Sequence, residues 1–477
     1  MLRSLPIRWR AAGFLAALIL AEFGLYHIGN YGKWVVQDRD GRLGWRLLPN
    51  QSGWSREYDV PEIINRFGYR GPDWMDPEQA LKNTEPVFRV AVVGNSLTYG
   101  SGVAGSETWP SVLEELLNGE FERRRDPRQV VVMNFAVQGY VFEQMARVFH
   151  DEITRWKPDL LIVPSLAPDI RPMAAPVAPQ EYFGRRPIVR TAIYDLLRDS
   201  VIDKWIPPPS GQSLEGLELK RAQLESTLPL MRKRFEALVA TQAGDPSAGE
   251  IPSFERLEEE LLKVVMPAPP EAMPRVFWEV LDTPQVASLS KQLKVDLRLE
   301  LFGALEQTLR PEIWSLIDGP VQELPWTSDH RFWWWKMAAR LERIQRTLSE
   351  YGGKLSVVTV TRLHEVLDEN LPLDQQTVKP VDLFYENWLP GQAVPRSDGR
   401  LFYTSTRRDF SRLQPEVTQA LLQHGYLEGP GGAKRIDASR PGAESSLFLF
   451  HDVGHFSPRG HAAFAELLAR SLVDQGL

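Results

Sequence analysis

The chain has 477 residues, with 55 Lys plus Arg against 62 Asp plus Glu and a formal charge of -7. No long block of one sign occurs, which disfavours nucleic acid as a partner. Cysteine is absent, and this excludes disulfides, thiolate metal ligands, a cysteine nucleophile and lipid attachment at a cysteine. The length predicts either one large domain with an insertion or two domains.

The N-terminal segment, 1–30, carries Arg3, Arg8 and Arg10 ahead of an apolar stretch from Ala11 to Ile28 that Glu22 interrupts. Basic residues before an apolar segment place the N-terminus in the cytoplasm and the rest of the chain across the membrane. Ile19 is bulky where a cleavage site wants a small residue, so the segment reads as a retained signal anchor, a single-pass transmembrane helix, rather than a cleaved signal peptide. The catalytic part is then expected outside the cytoplasm, in the periplasm or cell envelope.

Residues 31–85 hold two stretches rich in Gly, Pro, Asn and Trp, Gly44 to Trp54 and Asn65 to Trp74, without helical periodicity. They predict irregular or short extended structure, a linker packed on the domain that follows. In 86–170, Val87 to Val93 predicts a strand that ends at Gly94, and Thr108 with Pro110 predicts a helix start. The unit repeats with a strand at Val130 to Met133 and a helix whose apolar positions run from Phe142 to Trp156. A third strand is expected at Leu160 to Val163.

The pattern resumes in 331–477. Met337, Leu341, Ile344 and Leu348 share one helical face, and strands are expected at Leu355 to Val360 and Leu447 to Phe450. A helix opening at Ser457 and Pro458 closes the chain. Strands that are apolar throughout and alternate with helices predict a parallel sheet covered on both faces. The intervening 171–330 is mainly helical, with Pro229 inside one helix and further helices at Phe254 to Val265 and Leu293 to Leu309. This insertion reads either as a solvated structural hairpin or as a cap for substrate or for an envelope assembly partner.

Ser96 follows the first strand and precedes a helix, at the carboxyl edge where open α/β sheets place ligands. A serine hydroxyl needs an imidazole to take its proton, and the imidazole needs a carboxylate to fix its tautomer. Asp452 and His455, three residues apart near the C-terminus, supply both groups. A metal site at His451, Asp452, His455 and His461 is the weaker alternative, because no HExxH helix accompanies it. His451 and His461 are expected to be surface or packing residues. Trp333 to Trp335 are consecutive aromatics, of which at least one should face outward, toward a sugar ring or a membrane.

Taken together, GNSLTYGSGV (Gly94 to Val103), NFAVQGY (Asn134 to Tyr140) and DVGH (Asp452 to His455) resemble the sequence blocks of the SGNH/GDSL hydrolase superfamily. NRFGYRG upstream is similar to a segment of its membrane-anchored bacterial members. The resemblance implies a flavodoxin-like three-layer α/β/α domain without a cofactor. It implies Ser96 as nucleophile, His455 as base and Asp452 as its support, with an oxyanion hole from the Ser96 and Gly139 N–H groups. The substrate class implied is a carboxylic ester or an acylated glycan, with hydrolysis, or acyl transfer by the same serine, as the reaction.

Two positions depart from that pattern. Asn95 replaces the aspartate before the serine, and Pro168, followed by Asp169, stands where the third block has its oxyanion asparagine. Proline donates no hydrogen bond. A catalytically weak module that binds a glycan or a partner is therefore the second expectation. Thr98 excludes the Gly-x-Ser-x-Gly elbow of α/β-hydrolases.

Overall fold

The structure is a computed structural model that describes residues 7–27, 35, 37–40, 43–55, 58, 60–165, 217–241, 253–265, six positions within 293–304, 328–360, 401–404, 427–428, 434–435, 447–449 and 455–477. Five strands form one wholly parallel sheet: β5 (Val87–Val92), β6 (Gln129–Asn134), β7 (Leu160–Ser165), β8 (Lys354–Thr359) and β9 (Leu401–Thr404). Their order is β6-β5-β7-β8-β9. In sheet numbering this is 2-1-3-4-5, the doubly wound order whose switch point lies between the first and third strands. β8 pairs along the whole of β7, from Leu160 with Lys354 to Ser165 with Thr359. The sheet is thus assembled from both sides of the 171–330 segment.

Alternation along the strands separates two apolar layers. Val90, Val92, Leu160, Ile162 and Val358 pack with α4 (Trp109–Arg123) and the C-terminal helix (Pro458–Asp474). Ala91, Val93, Leu161, Val163, Leu355 and Val357 face α5 (Phe142–Asp151) and the helix Ser328–Ser349. Buried residues of the insertion, including Leu228, Phe235, Leu257, Leu297 and Leu301, belong to this second cluster. They lie on the helices Leu217–Thr241, which contains Pro229, and Phe254–Val265, and in the helical positions of 293–304. Asp296 accepts both guanidinium nitrogens of Arg346 at 2.8 Å, and Arg343 reaches Glu300 at 2.8 Å. The described residues of 217–304 therefore share the second apolar layer, and those of 293–304 are tied to the Ser328–Ser349 helix by these ion pairs.

The edge strand β6 is closed by side chains of α4. Asn118 accepts from the Val130 N–H (2.9 Å) and donates to the Val130 carbonyl (3.0 Å), while Glu114 accepts from the Val132 N–H (2.6 Å). Outward backbone groups that would otherwise recruit another strand are thereby occupied.

The segment read as irregular or short extended structure forms two antiparallel hairpins, β1 (Gln37–Asp40) with β2 (Gly44–Leu47) and β3 (Gln51–Trp54) with β4 (Pro61–Ile64). One sequence expectation is corrected. The strand expected at Leu447 to Phe450 is a single antiparallel bridge, Phe448 with Phe456, and the place at the sheet edge goes to β9 instead. The N-terminal segment forms α1 (Ile7–His27), but among the described residues no helix is long and apolar enough to cross a membrane. The backbone of Trp333 to Trp335 is helical; their side chains lie outside the described residues.

Candidate active site

β5 ends beside the switch point, and the chain turns at once into α3 (Ser96–Tyr99). Asn95 caps this turn by accepting from the Leu97 N–H at 3.0 Å, a short-range bond that carboxamide and carboxylate serve equally. Gly94 is needed because a Cβ there would press into the Thr98 side chain, 2.9 Å from its Cγ2. The turn thus brings the half-buried Ser96 to the carboxyl edge of the sheet.

The loop after β6 is stitched to this turn. The Phe135 N–H donates to the Val92 carbonyl (2.8 Å) and the Val137 N–H to the Gly94 carbonyl (3.2 Å). The Gln138 amide donates to the Ser101 hydroxyl at 2.8 Å. Gly139 is exposed on this loop at φ +77°, a backbone state that suits glycine, and a Cβ would meet Trp45 Cζ2 at 3.1 Å.

The NRFGYRG stretch supports the same turn from the other side. Asn65 folds it by accepting from the Phe67 and Tyr69 N–H groups at 3.0 and 3.1 Å. Arg70, only 3% exposed, then sends its guanidinium to three carbonyls of the loop after Ser96: Tyr99 (3.1 Å), Gly100 and Val103 (2.6 Å).

His455 arrives from the far end of the chain. The Leu449 N–H donates to the His455 carbonyl (3.0 Å) and the Ser457 N–H to the Leu447 carbonyl (2.9 Å), so a narrow pair of bonds fixes the residue. Ser457 then caps the C-terminal helix by accepting from the Gly460 N–H at 3.1 Å. The outcome is a 2.7 Å contact between His455 Nε2 and Ser96 Oγ, across 359 positions of sequence.

His461 is a packing residue, 1% exposed, whose Nδ1 accepts the Trp109 N–H at 3.2 Å. Burial, then the charge of Arg70 and the neighbouring His455, pushes its pKa down to about 3. A neutral ring committed to a backbone donor is poorly placed to hold a metal. Asp452, His451, Pro168 and Asp169 lie outside the described residues.

Sequence reasoning missed Tyr58, whose hydroxyl stands 3.1 Å from His455 Nδ1. No local motif marks it, since a lone tyrosine in a Gly- and Pro-containing segment carries no spacing signal. A cavity of about 350 Å³ follows the outer side of β6, lined by Arg70, Trp74, Glu114, Met133 and Trp156 among others; neither Ser96 nor His455 lines it.

The fold and site define an α/β protein with a parallel sheet and a serine–imidazole pair at its carboxyl edge. Neither a family model nor a curated protein sequence matches the chain. A solved structure similar to it is that of the lipase Lip_vut3 from a goat rumen metagenome, with 11% sequence identity, 81% of this chain and 97% of that chain covered, and a TM-score of 0.27. A likeness at that level carries no argument about function.

Proposed function

We propose that this protein is a serine esterase of the SGNH/GDSL type that cleaves carboxylic esters, among them acylated glycans of the cell envelope. The observation that carries the reading is the 2.7 Å contact of Ser96 Oγ with His455 Nε2 at the end of β5. In this reading Nε2 takes the hydroxyl proton as Oγ attacks the acyl carbon, and the developing oxyanion is met by the Ser96 and Gly139 N–H groups. His455 then returns the proton to the leaving alkoxide. Water, activated by the same imidazole, releases the acyl group, while a sugar hydroxyl in its place gives acyl transfer. Asp452 supports the imidazole.

The reading treats 86–170 and 331–477 as one catalytic domain of the SGNH type and 171–330 as its insertion. It also places the protein at a membrane. Phe14, Leu15, Ile19, Leu20 and Phe23 of α1 are 58–70% exposed, an apolar surface behind Arg3, Arg8 and Arg10 that suits attachment to a bilayer. In this reading 1–30, which extends on both sides of the described α1, is the signal anchor, with the N-terminus in the cytoplasm and the catalytic domain outside it. Protease digestion of the protein on intact spheroplasts supports this placement, and full protection overturns it.

A fluorophosphonate probe tests the chemistry. Labelling of the wild type that is lost in Ser96→Ala and His455→Ala supports the esterase. A second reading, a glycan- or partner-binding module, is favoured by Pro168, because losing one oxyanion donor costs about 10²- to 10³-fold in rate. That reading takes over if the wild type resists the probe, leaves short acyl esters intact and serves the cell equally well as Ser96→Ala.

A further inference from the structure

The second nitrogen of His455 is engaged as well. Tyr58 Oη lies 3.1 Å from Nδ1. The two rings meet edge to face, with centroids 5.7 Å apart and 68° between their planes. Tyr58 is 397 positions from His455 in sequence and sits between β3 and β4, where the Ser55 N–H donates to the Val60 carbonyl at 2.7 Å and closes the connection. Its ring also borders Gly102, where an added Cβ would stand 3.3 Å from Tyr58 Cδ1 and would collide with Leu449. The tyrosine is therefore held between the loop after Ser96 and the segment that carries His455.

For Nε2 to accept the Ser96 proton it must be unprotonated, and the neutral ring then carries its proton on Nδ1. A phenolic oxygen can accept that proton and still donate its own to another group. We infer that Tyr58 is a positioning residue for His455: its hydroxyl oxygen accepts the Nδ1 proton and fixes the tautomer in which Nε2 takes the proton of Ser96. This inference rests on the esterase reading and deepens it, because it makes the N-terminal hairpins part of the site. When the ring becomes imidazolium during attack, Tyr58 keeps an acceptor opposite the new positive charge. The contact and support from Asp452 are compatible, since the phenolic oxygen has two lone pairs and one proton.

Tyr58→Phe removes the hydroxyl and keeps the ring. With p-nitrophenyl acetate, kcat should fall by about ten- to a hundredfold, the range for losing one hydrogen bond to a charged group, with KM changed by less than about twofold. Ring ¹⁵N resonances of the neutral His455, assigned with His455→Gln, should report the Nδ1–H tautomer in the wild type and a mixture of the two tautomers in Tyr58→Phe.

Wild-type kcat and an unchanged His455 tautomer in Tyr58→Phe overturn the role of Tyr58 and leave the esterase intact. Lower thermal stability with the tautomer unchanged reduces Tyr58 to packing and also overturns it. If the wild type neither turns over esters nor takes the probe, the esterase reading falls; the ¹⁵N resonances still decide whether Tyr58 sets the ring, the same tautomer in both proteins counting against it.

Discussion

The Leu447 carbonyl occupies the space where a side chain on Gly460 would begin, so that a Cβ there would fall inside covalent-like distance of the oxygen. The same carbonyl accepts the Ser457 N–H at 2.9 Å, one of the two bonds that close the segment around His455. The first turn of the C-terminal helix is thus pressed against the backbone that aims the imidazole.

Gly460→Ala should lower stability by about 2–3 kcal/mol, the upper part of the range for overpacking, because the obstacle is backbone and not a flexible side-chain tip. Probe labelling of Ser96 should slow in the same variant. Gly119→Ala is the contrasting control: the site is exposed within α4 and a Cβ would meet nothing within 4 Å. It should stabilise by about 0.5–1 kcal/mol through helix propensity. Urea midpoints at constant m-value measure both.

Arg70 replaced by Ala leaves the carbonyls of Tyr99, Gly100 and Val103 without their shared donor in a buried place. A loss of about 3–5 kcal/mol is expected, as for breaking a buried charge-assisted set. Arg70→Lys should recover only part of it, since one ammonium cannot copy a planar fork of donors. Denaturation midpoints and the rate of Ser96 labelling should fall together across the pair of variants.

Stability should fall with acid through the buried histidines. His461 is lowered to about 3 by burial, with Arg70 and His455 adding to it, and His150 to about 3 by burial, with Arg343 and Arg340 adding to it. In the unfolded chain each titrates near 6.5, so between about pH 3 and 6.5 the unfolded state binds protons that the folded state refuses. Each group therefore costs about 1.4 kcal/mol of stability per pH unit as the pH drops through that window, and neither contributes above it. His461→Asn, which can still accept from the Trp109 N–H, should halve the slope measured by urea denaturation from pH 6 to pH 4.

Asp296 and Arg346 join the insertion to the Ser328–Ser349 helix through two bonds of 2.8 Å. A double-mutant cycle with Asp296→Ala and Arg346→Ala should give a coupling of about 1–3 kcal/mol, more than an exposed pair, because the contact is bidentate and the Asp side chain is only 12% exposed. Deletion of 171–330 should yield aggregated protein, since it uncovers the apolar partners of Leu228, Phe235, Leu297 and Leu301. A soluble, folded deletion product would show that this layer is dispensable.

Local chemistry was enough to mark much of this molecule. Val87 to Val93 and Leu160 to Val163 read as strands because they are short and mainly apolar, and the helix starts after Thr108 and Ser457 read correctly because proline in the first turn at both, and the Ser457 cap, act locally. Ser96 and His455 were legible as candidates because their short motifs sit next to such elements. The sheet order and the choice of β9 over Leu447 to Phe450 as edge strand were not legible, because pairing between strands of the sheet depends on partners far away in the chain. The same holds for Tyr58. Sequence determined which residues could do chemistry at a strand end, whereas only tertiary packing decided that a tyrosine 397 positions away would meet the imidazole, since a hydrogen bond is set by distance in space and leaves no spacing in the sequence.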